Sequence, residues 1–111
     1  MKTWRHVPAF RYADWDAFCA VCPHATPWVA IEMGGTPLDD FVHPDRAIYL
    51  LGAEDHGLPA AIVRACAYSV SLDAVREASY NVAVAGSIVM YDRARKRRQQ
   101  VPFPGTLDTF R

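Results

Sequence analysis

The sequence lacks an excess of charge of either sign. Its 111 residues include twelve basic and twelve acidic side chains, so the formal net charge is zero. The whole molecule therefore offers no net field that would attract nucleic acid, and any such attraction must come from a local cluster. The length fits one domain with a single core but is short for a complete doubly wound enzyme domain. We therefore expect the chain to need a partner or to be incomplete.

Long apolar runs and a signal peptide are also missing from the sequence. No stretch is apolar and long enough to span a bilayer, which excludes a membrane-spanning helix. Cysteine is scarce and odd in number, with only Cys19, Cys22 and Cys66. An odd set without a signal peptide is typical of a reducing compartment. We therefore expect free thiols and a cytoplasmic protein.

Two of the cysteines have the spacing of a redox or metal motif. They are Cys19 and Cys22, and His24 lies close by. A helix would place both thiols on one face. However, no second cysteine or histidine pair with metal-ligand spacing is present, and no strand comes just before the motif. Core packing of small apolar thiols is the favoured interpretation, and we predict no metal site.

Basic and aromatic side chains alternate in the first twelve residues. Such a pattern can bind phosphates and stack on bases. Packing of the aromatic rings onto the domain, with the charges left in solvent, is the simpler explanation. The residues concerned are Lys2, Trp4, Arg5, His6, Phe10, Arg11 and Tyr12.

Three apolar runs predict short strands, over residues 27–33, 47–51 and 67–72. Gly34 and Gly35 are expected to end the first strand. The order of strand, helix and strand indicates a βαβ unit with parallel pairing, so the predicted fold class is α/β with a parallel sheet. Helices are predicted over residues 14–22, with Asp14 as N-cap, over residues 59–66 and over residues 79–98.

A glycine-containing turn follows the second predicted strand. It begins at Gly52, includes the carboxylate of Glu54 and reaches Gly57 shortly before Pro59, which can open a helix. Such a turn gathers backbone N–H groups at the carboxyl end of a strand, where open α/β sheets bind ligands. We therefore predict a ligand site at this turn.

The last predicted helix is apolar on nearly every side. Such a helix must be buried on nearly every side, inside the fold or against another subunit. Only residues 92–98 are expected to be solvated. Their basic cluster either stabilises the end of the helix or lies along an RNA backbone, and both explanations stay open. The cluster consists of Arg93, Arg95, Lys96, Arg97 and Arg98.

Two segments together resemble the second and third motifs of the SpoU-type, TrmH-like RNA methyltransferases of the SPOUT superfamily. One is LGAEDHGL over residues 51–58, and the other is SYNVAVA over residues 79–85. A helix and a strand separate the two motifs, as in the family. The pair at this separation is far more specific than either motif alone. The resemblance covers roughly residues 27–98.

The resemblance implies a parallel α/β fold with a C-terminal trefoil knot whose loops bind S-adenosylmethionine. It also implies a homodimer and methylation of a ribose 2′-hydroxyl in tRNA or rRNA. By motif position Glu54 would brace the turn, and the cofactor shell would be Ile31, Glu32, Gly52, Gly57, Leu72, Ser79 and Asn81. The candidate RNA-binding residues are Arg5, Arg11, Arg76, Arg93 and Arg95.

The sequence departs from the family pattern in its first motif, an Asn-x-Gly…Arg segment that normally precedes the matched region and is missing here. We therefore expect an N-terminally shortened domain over residues 1–98 with a flexible tail over 99–111, and we assign no catalytic residue. The expected function is S-adenosylmethionine-dependent RNA methylation, impaired by the loss of that motif. The alternative is a non-catalytic dimeric module that binds cofactor or RNA. Smaller departures, at Tyr80 and at residues 71–73, alter the shape of the pocket.

Overall fold

The computed structural model describes residues 8–23, 25–52, 57–72 and 82–100. Its centre is a three-stranded sheet of β1 (Trp28–Pro37), β2 (Ile48–Leu51) and β3 (Tyr68–Ser71). The strand order is β2-β1-β3, and β1 is parallel to both neighbours. The predicted α/β fold with a parallel sheet is therefore confirmed. Because the strands share one direction, their carboxyl ends meet at one edge, which we call the carboxyl edge.

The first strand is longer than predicted. Gly34 and Gly35 were expected to end it, but β1 continues to Pro37 and its register with β3 shifts between Ile31 and Thr36. Gly34 adopts a φ of 85°. A Cβ on Gly35 would come within 2.6 Å of Ser69. The two glycines thus shape an irregularity inside the strand, because they permit a positive φ and a close approach of two backbones.

Two short helices lie where the sequence predicts them. Helix α1 (Trp15–Val21) follows Asp14, whose carboxylate accepts a hydrogen bond from the Ala17 N–H at 2.9 Å. The predicted N-cap is therefore confirmed. Helix α2 (Ala60–Ala65) follows Pro59 directly and connects β2 to β3. These two strands flank β1 instead of pairing with each other, so the βαβ connection passes over the central strand.

A single long helix, α3 (Val82–Gln100), follows the sheet in the chain. Its predicted first residues, from Ser79, lie outside the described residues, as does the tail beyond Gln100. Ala85 and Val89 are buried, whereas Met90 and Tyr91 are 44% and 70% exposed. Within one chain the helix thus buries a single face, because a helix on one side of a sheet contacts the sheet along one stripe only. None of the described helices is long and apolar enough to cross a membrane.

The core lies between the sheet and the segment that connects β1 to β2. Val29 of β1, Val70 of β3 and Phe41 of the connecting segment are buried and form one cluster. Phe41 follows a short 3-10 helix over Leu38–Asp40. The partly buried residues packed against this cluster are Ile31, Leu38, Ala47 and Tyr49.

Aromatic rings attach α1 to the opposite, amino end of β1. The ring of Trp28 lies 5.2 Å from that of Trp15 and 6.3 Å from that of Phe18, measured between centroids. The Trp28 indole N–H also donates to the thiol of Cys22 at 3.2 Å. All three cysteines of the chain are free, as predicted.

Candidate functional site

Two glycines bring the ends of the predicted ligand turn together at the carboxyl edge. Gly52 follows β2 directly, and a Cβ added to it would overlap the backbone of Gly57 and Leu58. No other residue fits at position 52 without moving that backbone. Gly57 has a φ of 66°, in the left-handed region that favours glycine. Gly52 and Gly57 therefore bring backbone without side-chain bulk to this edge, and residues 53–56 lie outside the described part.

Glu32 ties this turn to the neighbouring strand. Its Oε2 accepts a hydrogen bond from the Leu58 N–H at 3.2 Å. A Cβ on Gly57 would lie 3.0 Å from its Oε1. The carboxylate of β1 thus holds the turn that follows β2, the role that the family resemblance gave to Glu54. Glu54 itself lies outside the described residues.

Five of the seven predicted cofactor residues are described, and the sheet brings them to one edge. Ile31 is the last β1 residue paired with β2, opposite Leu51, so Glu32 and Gly52 follow at the same level. Gly57 contacts Gly52 as described above, and Leu72 follows the end of β3. The remaining two, Ser79 and Asn81, lie outside the described residues.

A buried hydroxyl group lies next to this edge. Ser71, the last residue of β3, is 1% exposed, and its Oγ has no hydrogen-bond partner among the described residues. Buried polar groups normally have a partner, because desolvation without one is costly. The hydroxyl adjoining Leu72 is therefore a polar group available at the carboxyl edge. Sequence reasoning noted this serine only within the departure from the family pattern at residues 71–73 and gave its hydroxyl no role.

Helix α3 runs opposite to β2 and brings its amino end to the carboxyl edge. A Cβ on Gly86 would lie 3.8 Å from the side chain of Leu51. Seven residues later, Arg93 donates to the hydroxyl of Tyr49 at 2.9 Å. The helix and the strand therefore run in opposite directions. The amino end of a helix carries partial positive charge, which favours an anionic ligand group.

A buried polar network fastens α3 to the segment between β1 and β2. We call Asp92, His43, Tyr49 and Arg93 the docking network. His43 Nε2 lies 2.8 Å from Asp92 Oδ2, and His43 Nδ1 lies 2.7 Å from the Tyr49 hydroxyl. The side chains of His43 and Asp92 are 2% and 7% exposed. Asp92 was expected to be solvated, and this prediction was wrong because its carboxylate faces the fold.

The directions of these hydrogen bonds are mutually consistent. A carboxylate only accepts, so His43 Nε2 carries a proton toward Asp92. Arg93 donates to the Tyr49 oxygen, and the same hydroxyl forms the hydrogen bond with His43 Nδ1. Arg93 also donates to the carbonyls of Pro44 and Asp45, at 2.7 and 2.6 Å. Each donor of the docking network therefore faces an acceptor.

Burial and hydrogen bonding act in opposite directions on the pKa of Asp92. Burial raises it, but hydrogen bonds from His43, Lys96 and Arg95 outweigh burial and hold the pKa below its ordinary value of 3.8. Lys96 and Arg95 donate at 2.9 and 3.1 Å. Asp92 is therefore a carboxylate at neutral pH.

The basic cluster of α3 is divided between the fold and solvent. Lys96 donates to the carbonyls of Leu38 and Phe41, at 2.6 and 2.8 Å, and Arg93 belongs to the docking network. The side chain of Arg95 is 44% exposed although it bonds to Asp92. Arg11 is exposed before α1, and Arg98 is exposed near the end of α3. Two further RNA-binding candidates, Arg5 and Arg76, lie outside the described residues.

Two of the thiols, those of Cys19 and Cys66, have a pKa above the ordinary value. Burial, followed by the nearby Cys22 and Asp16, raises the pKa of Cys19. Burial also raises the pKa of Cys66, whose thiol donates to the Ile62 carbonyl at 3.2 Å. Reactive cysteines instead have a lowered pKa, because the thiolate is the nucleophile. These shifts agree with the interpretation of the cysteines as packing residues.

The fold is shared with two solved methyltransferases. The SpoU methyltransferase AviRb from Streptomyces viridochromogenes, solved in complex with the cofactor AdoMet, aligns with a TM-score of 0.59 and 29% identity over 72% of this chain and 30% of that protein. A putative RNA methyltransferase of the TrmH family from Porphyromonas gingivalis aligns with a TM-score of 0.58 and 22% identity, over 64% of this chain and 30% of that one. The second likeness concerns the fold alone.

Sequence comparison identifies the same family. An uncharacterized tRNA/rRNA methyltransferase of Mycobacterium tuberculosis is 36% identical over 67 residues, which are 60% of this chain. The chain spans about a fifth of the length of the curated relatives that it matches, with 21% of the relative covered. The family model of the SpoU rRNA methylases matches residues 1–91. The family predicted from two motifs is thus confirmed, and the chain belongs to the SpoU rRNA methylase family.

Proposed function

We propose that this chain binds S-adenosylmethionine at the carboxyl edge and acts in methylation of a ribose 2′-hydroxyl of tRNA or rRNA in the cytoplasm. The observation that carries the proposal is the contact of Gly52 with Gly57 and Leu58. This contact leaves glycine backbone at the carboxyl edge of the parallel sheet. The Glu32 carboxylate holds the Leu58 backbone there by a hydrogen bond. In support, the family member AviRb was solved with AdoMet.

The described residues fit such a cofactor. Gly52 and Gly57 let a ligand approach their backbone closely, since neither residue has a side chain. Ile31 and Leu72 supply apolar contact on either side, and the hydroxyl of Ser71 adjoins them. The amino end of α3 favours the carboxylate of the ligand. We further propose that Ser79 and Asn81, which lie outside the described residues, contact the cofactor as the motif implies.

When bound, S-adenosylmethionine supplies a methyl group on a sulfonium. The protein must align the hydroxyl oxygen with that methyl group and assist removal of the hydroxyl proton. The turn, Glu32 and the end of α3 supply the alignment. We assign no base among the described residues. A missing base assistant lowers the rate by a factor of ~10² to 10⁴.

The second candidate function is a module that binds cofactor or RNA without methyl transfer. Both candidates bind the cofactor or RNA, but only the first transfers the methyl group. Transfer of labelled methyl from S-adenosylmethionine to total tRNA or rRNA, measured under single-turnover conditions, separates the two. Incorporation at 2′-oxygens identifies the enzyme, whereas cofactor binding with no incorporation identifies the binding module.

A trefoil knot and a homodimer are further parts of the proposal. The amino end of α3 at the carboxyl edge is where a knotted chain would pass beside the cofactor turn. The exposed apolar side chains of α3 support a dimer, since apolar surface on a helix favours burial against a second copy. They are Val82, Val84, Met90 and Tyr91, which are 36%, 47%, 44% and 70% exposed.

The first test is isothermal titration calorimetry of the full chain with S-adenosylmethionine. We expect binding by the wild type and none by Gly52→Ala, because a methyl group at position 52 must push Gly57 and Leu58 apart. Gly86→Ala is the matched control. It adds the same methyl group next to Leu51, at an ordinary contact distance of 3.8 Å, and should leave affinity unchanged. Equal affinity of Gly52→Ala and wild type would refute the assigned site.

A further inference from the structure

Two arginines near the end of α3 keep a positive charge that the fold does not neutralise. Within the part of the chain that the structure describes, every salt bridge ends on the carboxylate of Asp92, and its partners on α3 are Arg95 and Lys96. Arg93 and Arg97 instead donate to backbone carbonyls. A carbonyl accepts a hydrogen bond but carries no net charge. The charges of these two guanidinium groups are therefore available to an anion.

The fold brings a third arginine to the same place. Arg93 Nη2 and Arg97 Nη1 donate to one oxygen, the carbonyl of Asp45, at 2.6 and 3.2 Å. That carbonyl belongs to the peptide bond of the Arg46 nitrogen, so the backbone of Arg46 adjoins both guanidinium groups. Arg46 and Arg97 are exposed, although 52 positions separate Asp45 from Arg97 in the chain. We call Arg46, Arg93 and Arg97 the arginine surface.

The arginine surface is a local excess of positive charge in a chain whose formal net charge is zero. The carboxylate of Asp45 belongs to the same segment, but one carboxylate does not balance three guanidinium groups. A guanidinium is always charged, and its planar fork matches the oxygens of a phosphate. The bond to the Asp45 carbonyl orients the Arg97 head group and leaves its other N–H groups for a ligand. Several such forks side by side fit a backbone of successive phosphates better than a single small anion.

The arginine surface and the cofactor turn lie at opposite ends of β2. Arg46 precedes this strand, whereas Gly52 follows it. An extended chain advances ~3.3 Å per residue, so the segment from Arg46 to Gly52 spans up to ~20 Å. An RNA that reaches both places would contact the arginine surface through nucleotides other than the one at the cofactor turn.

We infer that Arg46, Arg93 and Arg97 form a surface that binds the phosphate backbone of RNA away from the methylated nucleotide. This inference rests on the proposed function, since RNA is the polyanion on which that function acts. It adds Arg46 and Arg97 to the candidates from sequence and leaves out Arg95, whose charge is paired with Asp92. Phosphates are common to all RNA sequences, so the surface contributes affinity and orientation without sequence preference.

Neutral substitutions of the two exposed members test the surface. Arg46→Gln and Arg97→Gln each remove one charge and keep a polar side chain, whereas Arg93 is left in place because it also belongs to the docking network. Binding of a fluorescently labelled RNA hairpin is measured by anisotropy at several salt concentrations, without any cofactor. Each lost phosphate contact lowers the slope of log K against log salt by about 0.7 to 0.9. Affinity at ~0.1 M salt should therefore fall about five- to eightfold for each substitution.

Arg64→Gln is the matched control. Arg64 is exposed on α2, so its substitution changes the net charge of the chain by the same amount. We expect this variant to bind the hairpin with the affinity and salt slope of the wild type. The melting temperatures of Arg46→Gln and Arg97→Gln should stay close to that of the wild type, because both side chains are exposed. A loss of RNA binding is then not a loss of folding.

Three results would overturn the inference. They are no binding of the hairpin by the wild type, wild-type affinity and salt slope in the double variant of Arg46→Gln and Arg97→Gln, and an equal loss in Arg64→Gln. Vesicles of phosphatidylglycerol distinguish RNA from a lipid headgroup surface. Binding to vesicles that is tighter than binding to the hairpin, and that the double variant loses, would also overturn it. Failure to bind S-adenosylmethionine or to transfer methyl would instead refute the proposed function, and the hairpin titration without cofactor would still decide the role of the arginines.

Discussion

At the residue scale, the ionisation of Asp92 links the stability of the protein to pH. Its folded-state pKa lies below the ordinary value of 3.8, because the hydrogen bonds from His43, Lys96 and Arg95 outweigh the effect of burial. A lowered pKa stabilises the fold above the unfolded-state value. This contribution is lost as the pH falls through the folded-state pKa, so it is present at neutral pH and disappears in acid below 3.8.

Asp92→Asn should therefore destabilise the protein in a pH-dependent manner. We expect a loss of roughly 2 kcal/mol at neutral pH, the scale of hydrogen bonds to a charged group. Urea unfolding of both proteins between neutral pH and pH 3 should show the difference shrinking as Asp92 becomes protonated in the wild type. Asp16→Asn, at an exposed position, should show little difference at any pH. If the difference in unfolding free energy between the wild type and Asp92→Asn stayed constant down to pH 3, the assigned ionisation of Asp92 would be contradicted.

Glu32 shows how one residue can be misjudged from sequence. The family resemblance placed it in the cofactor shell by motif position, and in the structure it lies level with Gly52 at the carboxyl edge. Its hydrogen bond to the Leu58 N–H was not foreseen, because the two residues are 26 positions apart in the chain. A carboxylate that directly follows the apolar run of residues 28–31 was the available signal. Only the pairing of β1 with β2 shows which turn that carboxylate reaches.

At the element scale, α1 depends on aromatic contacts with the sheet. It has seven residues and none of them is fully buried. Helices this short are not stable in isolation, so tertiary contact must hold it. The closest ring of β1 is Trp28, whose centroid lies 5.2 Å from that of Trp15. This pairing predicts that α1 can be released without unfolding the sheet.

Trp15→Ala should release α1 selectively. Hydrogen exchange at the amides of residues 18–21 is expected to become fast, whereas the amides of Val29 to Ile31 in the central strand stay protected. Stability should fall by about 1 to 2 kcal/mol, in proportion to the partial burial of the ring. Val21→Ala, at a side chain that is 63% exposed on the same helix, is the control. Loss of protection in β1 as well would show that α1 is an integral part of the core.

The C-terminal helix illustrates why an apolar pattern does not reveal a partner. The segment was expected to be buried on nearly every side, and in one chain it buries one face. Hydrophobicity reports that a side chain favours burial, but not which surface covers it. Charged residues of the same helix were expected to be solvated, because charge indicates a preference for water but not which polar partners lie nearby. Asp92 and Arg93 are polar by composition, yet their hydrogen bonds join them to a segment more than 40 positions earlier.

At the scale of the whole molecule, the exposed side of α3 predicts a dimer. Sedimentation at micromolar concentration should give twice the chain mass of 12.4 kDa. Tyr91→Glu should yield a monomer, because it places a charge within the apolar surface that the proposed interface would bury. Met33→Glu is the control, at a similarly exposed side chain of β1, 67% against 70% for Tyr91. A wild-type monomer, or a dimer unaffected by Tyr91→Glu, would refute the proposed interface.

Much of this molecule could be predicted before any coordinates were considered. Three strands, two short helices and the Asp14 cap follow from local signals, since apolar periodicity and capping act over a few residues. The family could be identified because two motifs keep a characteristic separation along the chain. The length of β1 was predicted wrongly. Glycine is compatible with both a strand end and a bulge, and only the close approach to Ser69 distinguishes the two.

The sequence by itself determined the α/β class, the glycine turn and the family, because each depends on residues that are neighbours or that form a motif. Only the tertiary structure decided that Glu32 holds the turn, that Asp92 is buried and that α3 runs opposite to β2. These features join residues far apart in the chain. Their energies depend on distances and directions in space, which no local pattern of side chains encodes.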